Sequence, residues 1–66
     1  MKPIERAMRM FKILGTLRDE LFYFINTKNK ATVYKIIELV QLLKQEASSL
    51  KRDVELEGDE IYASQE

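Results

Sequence analysis

The chain predicts an all-α fold, an antiparallel hairpin of two long helices that pairs with a second copy into a homodimeric four-helix bundle. Three observations carry this expectation. Apolar residues recur at alternating spacings of three and four in two long stretches. A short polar segment separates the stretches. The first stretch holds more apolar surface than one neighbouring helix covers.

The length sets the terms. A chain of 66 residues is one small domain, and so short a chain buries little core. Disulfides, a metal or association are the usual remedies. The sequence contains no Cys and no His, which removes disulfides, thiolate metal sites, the commonest zinc ligand and the commonest general base. Association is the remedy left.

The first helix is expected over about residues 4–25. Pro3 suits a first helical turn, where its missing N–H costs nothing. Ala7, Leu14 and Leu21 repeat at intervals of seven, and Met10, Leu17 and Phe24 repeat beside them. Together they form a heptad seam for the second helix. Ile4, Phe11 and Ile25 make an adjacent row, in which Arg18 occupies the fourth place. Phe22 lies next to that row, and Met8 and Ile13 widen the arc further. The expected self-association surface is Ile4, Phe11, Arg18, Phe22 and Ile25. Arg18 is accommodated there if its head stays wet or meets a carboxylate such as Glu38 or Glu46.

The segment 26–31 is expected to be the turn. Asn26 can end the first helix, and Thr27 or Asn29 can cap the second with a side-chain oxygen. The second helix is expected over about residues 31–56. Val33, Ile36, Val40, Leu43, Ala47, Leu50 and Val54 repeat with spacings of three and four, which predicts a single seam against helix one. The two helices would span about 33 and 39 Å at about 1.5 Å per residue, well matched to lie side by side. Gly58 ends the pattern, and residues 58–66 are expected to be an acidic, flexible tail.

Formal net charge is zero, but its distribution is uneven. Residues 1–18 carry Lys2, Arg6, Arg9, Lys12 and Arg18 against Glu5 alone. Residues 51–66 carry six carboxylates against Lys51 and Arg52. In an antiparallel hairpin these ends are neighbours, so they are expected to pair and to relieve the unfavourable sign each has against its helix dipole. The stripe Lys2, Arg6, Arg9 and Lys12 also offers a contact for a partner or for the phosphates of a nucleic acid, although Asp19 and Glu20 would repel phosphate. Tyr23 and Tyr34 are candidate recognition residues near the turn, and Tyr62 one in the tail.

No Gly-rich phosphate loop and no cofactor motif occurs, and two rods without a pocket do not favour catalysis. No stretch is apolar enough to span a bilayer and no secretory signal pattern opens the chain, so a cytoplasmic protein without a membrane role is expected. The functional expectation is a small non-enzymatic interaction module without cofactor, a regulator, inhibitor or assembly factor that binds a larger protein. A nucleic-acid-binding regulator using the basic stripe is the alternative, and a structural subunit of a helical assembly is another.

Overall fold

The computed structural model describes the backbone of residues 1–65 and the side chains of residues 1–56. Two α-helices, α1 (Pro3–Thr27) and α2 (Ala31–Gln65), pack antiparallel as a hairpin. The Cα trace extends 56 Å in length and 14 Å in each other direction, the shape of two rods side by side.

Pro3 opens α1 as the sequence suggests, and the Arg6 N–H closes the first turn by donating to the Lys2 carbonyl at 3.1 Å. The other end departs from expectation. Asn26 does not stop the helix. Its side-chain amide donates to the Phe22 carbonyl at 2.9 Å, and the helix continues through Thr27, whose hydroxyl donates to the Tyr23 carbonyl at 2.8 Å. The stop is Lys28, which adopts a left-handed conformation at φ 54 and ψ 29 and donates its N–H to the Phe24 carbonyl at 2.7 Å. A left-handed residue here satisfies a terminal carbonyl that the helix leaves open. Asn29 then caps α2, its side-chain oxygen accepting from the Ala31 N–H at 3.0 Å.

α2 runs past the expected end near residue 56, through Gly58 to Gln65. Helix propensity is ample there except at Gly58, and one glycine costs only about 1 kcal/mol. The side chains from residue 57 onward and the backbone of Glu66 lie outside the described residues. The reading of residues 58–66 as a flexible tail, and of Tyr62 as a docking residue, falls on that part.

The helices meet along a seam that differs from the expected one. On α1, Met10, Leu17 and Phe24 are half-buried as expected, but the row beside them is Arg6, Ile13 and Glu20, and Ala7, Leu14 and Leu21 are exposed. On α2, Ile36, Leu43 and Leu50 face α1, but the alternating positions are Thr32, Leu39, Glu46 and Asp53 instead of Val40, Ala47 and Val54. Val40 is 49 % exposed. Each helix is therefore rotated by about the angle between adjacent heptad rows, roughly 50°, from the phase that apolar spacing alone suggests. Ion pairing accounts for the shift, because it holds Glu46 and Asp53 in the contact. Arg6 donates to Glu46 at 2.8 Å and to Asp53 at 3.1 Å, and Arg9 reaches Glu46 at 3.3 Å. The basic start of α1 and the carboxylates of α2 thus pair as their charges suggest.

Among the described residues no apolar side chain is fully buried. The two buried residues are polar, Thr32 at 6 % and Glu46 at 7 % exposure. The hairpin has a contact seam but no closed core.

Candidate association surface

The surface follows from helical phase. Successive residues advance about 100° around a helix, so residues seven apart return to nearly the same direction. On α1 the exposed rows Ala7, Leu14, Leu21 and Ile4, Phe11, Arg18, Ile25 lie roughly a quarter turn from the seam. On α2 the exposed rows Val33, Val40, Ala47, Val54 and Ile37, Lys44, Lys51 are displaced by a similar angle in the same rotational sense, although Val33 itself is half-buried. Two antiparallel helices displaced in the same sense present those rows on one side of the hairpin. The opposite side carries Glu5, Arg9, Thr16 and Tyr23 on α1 and Lys35, Glu38, Gln45 and Arg52 on α2. It is bridged by Lys35 to Glu20 at 3.2 Å and by Arg9 to Glu46. The hairpin is mostly polar on one broad side, where Tyr23 and Leu56 are nevertheless exposed, and mostly apolar on the other.

All five residues of the expected self-association surface sit on or beside the apolar side. Phe11 is 78 % exposed, and Ile4, Phe22 and Ile25 are exposed by about two-thirds. Arg18 points into solvent with 81 % of its side chain exposed. Its guanidinium reaches Asp19 at 3.4 Å, while Glu46, one carboxylate expected to receive it, is occupied by Arg6 and Arg9. Two shallow grooves flank Arg18. One of about 320 Å³ is lined by Leu14, Leu17, Leu21, Phe22 and Ile25 with Arg18 itself, and one of about 270 Å³ by Phe11, Leu14 and Gly15 with Arg18. Sequence reasoning missed the α2 half of this surface, Val40, Ala47 and Val54 with Ile37, because it assigned the first three to the intramolecular seam. The signal that could have found them is the pair of carboxylates Glu46 and Asp53, spaced seven apart and level with Arg6.

Among the described residues of the apolar side, the charged ones are Arg18, Lys44 and Lys51, all cationic, with Arg18 inside the apolar arc of α1 and the two lysines at the edge of that of α2. Long cationic side chains on such edges keep their stems on apolar surface and their heads in water.

The basic stripe is divided. Arg6 leaves it to sit between the helices, its guanidinium held charged above its ordinary value first by the hydrogen bond to Glu46 and then by that to Asp53. Lys2, Arg9 and Lys12 remain on the surface, and Arg9 also leans on Glu46. Tyr34 is three-quarters exposed and Tyr23 half-exposed, both away from the apolar rows. Among the described residues no helix is long and apolar enough to cross a membrane. No protein-family model matches the chain, and neither does any curated protein or any solved structure.

Proposed function

We propose that this protein is a non-enzymatic helical association module whose apolar side is covered by a second copy, giving a four-helix bundle that acts as a small regulator or assembly factor by binding a larger protein. The observation that carries the reading is the one-sided surface itself. A hairpin with no fully buried apolar side chain among the described residues leaves Phe11, Ile25, Val40 and Val54 on one face. Contiguous apolar patches of several hundred Å² on small proteins mark association sites. Their burial contributes on the order of 25 cal/mol per Å².

The size of the face supports a second copy as its occupant. It is about 37 Å long, the length of α1, and about 18–20 Å wide for two packed helices, roughly 700 Å². A standard stable interface buries about 800 Å² per partner. A carboxylate introduced on each side in turn tests the reading. Val40→Glu places a carboxylate in the apolar side, and Gln45→Glu places the same charge on the polar side. Light scattering behind a sizing column should give twice the chain mass for the parent and for Gln45→Glu, and a large shift toward the single-chain mass for Val40→Glu. Equal masses for the two variants would overturn it.

The nucleic-acid alternative rests on Lys2, Arg9 and Lys12, since Arg6 is engaged within the hairpin. Its signature is retention on a polyanion that falls steeply with salt.

A further inference from the structure

We infer that the second copy docks with its turn at the opposite end, so that α1 lies antiparallel on the α1 of the other copy and α2 on its α2. This arrangement rests on the self-association reading and goes beyond it. Two two-fold arrangements are open to a hairpin with one apolar side. An axis along the bundle sets α1 on the other copy's α2, with both turns at one end. An axis across the bundle sets like helix on like helix, with the turns at opposite ends.

The two helices are unequally apolar, and this inequality separates the arrangements. The exposed apolar arc of α1 is three rows wide. It comprises Ala7, Leu14, Leu21, then Ile4, Phe11, Ile25 with Arg18, then Met8 and Phe22 with Gly15 between them. The arc of α2 is narrower, one full apolar row flanked by Ile37, Lys44 and Lys51, and beyond these by the polar row Tyr34, Gln41, Ser48 and Glu55.

With the axis along the bundle, symmetry fixes the level of each residue. The intramolecular pairs Arg9 to Glu46 and Glu20 to Lys35 set that level. Ile4 would then face Lys51, Phe11 would face Lys44, Arg18 would face Ile37, and Met8 and Gly15 would stand level with Ala47 and Val40. The outer apolar row of α1 would meet lysines at Ile4 and Phe11. With the axis across the bundle and passing near Leu14 and Gly15, Ile4 faces Ile25 of the second copy and Met8 faces its Phe22. Phe11 faces its Arg18, a cation against an aromatic face, and Met8 on Phe22 is a sulfur–aromatic contact. On the other pair of helices Val40 meets the second copy's Val40, and Lys44 meets its Ile37. Lys51 lies level with Lys30 at the second copy's turn, both of them exposed positions. Arg18 and Lys44 lie over apolar or aromatic groups in either arrangement, so Ile4 and Ile25 at the ends of α1 decide between the two.

Engineered disulfides read out the arrangement, since the chain contains no Cys. Ile4 and Ile25 stand about 31 Å apart on one straight helix, so a chain carrying Ile4→Cys and Ile25→Cys cannot bridge within itself. Under mild oxidation at a concentration where the reduced variant is dimeric by sedimentation, most of it should become covalent dimer on a non-reducing gel. The chain carrying Ile4→Cys and Lys51→Cys should stay largely uncrosslinked. A dimer that crosslinks through the second pair and not the first would overturn the arrangement while leaving self-association standing. A parent chain that sediments as a monomer would overturn both. If the first variant fails to associate when reduced, Phe11→Cys with Arg18→Cys takes its place. Those residues are about 10 Å apart on one helix and so also bridge only between copies. A dimer of that variant which does not crosslink would overturn the arrangement equally.

Discussion

Gly15 stands in the middle of α1, where a glycine weakens a helix, and a Cβ built on it meets nothing within 4 Å. Its φ is negative, so the backbone does not require glycine either. Gly15→Ala should therefore raise the stability of the single hairpin by about 0.5–1 kcal/mol, the ordinary helix-propensity gain, measured by urea denaturation at a concentration too low for association. A smaller gain or a loss at concentrations where the chain is dimeric would place the second copy against the glycine. Lys28 is the opposite case, a residue with a side chain held where glycine is preferred. Its conformation could not be read from residue type. Asn26 is the better stop signal in the sequence, and it loses because its side chain bonds back along the helix to Phe22.

At the scale of the helices, the heptad spacing correctly announced two rods, a turn and an antiparallel contact. It did not announce the phase. A run such as Val33, Ile36, Val40, Leu43, Ala47, Leu50 and Val54 is continuous in sequence, yet it straddles two directions in the fold. Ile36, Leu43 and Leu50 turn to α1, while Val40, Ala47 and Val54 turn to the open side. Apolar periodicity reports the centre of a stripe, and a wide stripe serves two neighbours. The phase is decided by the polar residues, because Glu46 is buried only where Arg6 and Arg9 meet it. The ion cluster should behave as a unit. Glu46→Leu and Arg6→Met should each lower the melting temperature. The double variant Arg6→Met with Glu46→Leu should lose clearly less than the two single effects added, as coupled neighbours do. Strict additivity in thermal melts would show that the cluster does not position the helices. Because the Arg6 guanidinium is held above its ordinary value, its contribution is fully present below that ordinary value. It is lost only as pH rises through the raised one, so mild alkali should leave it intact.

At the scale of the whole molecule, the apolar side was legible in part. Ile4, Phe11, Phe22 and Ile25 could be picked out because helix one has too much apolar surface for one neighbour. The α2 half was not legible, because its residues also fit an intramolecular seam and only the paired carboxylates say otherwise. The resulting hairpin has one seam, no fully buried apolar side chain among the described residues, and an apolar side two helices wide. A domain of this size has little net stability to spare. On the proposed reading a second copy completes the fold, and stability that depends on association must depend on concentration. The most direct test is sedimentation equilibrium across a concentration series, with thermal melts at the same concentrations. Twice the chain mass at high concentration, with a melting temperature that rises with concentration, is the result expected from that reading. A single-chain mass throughout, with one melting temperature at every concentration, would contradict it.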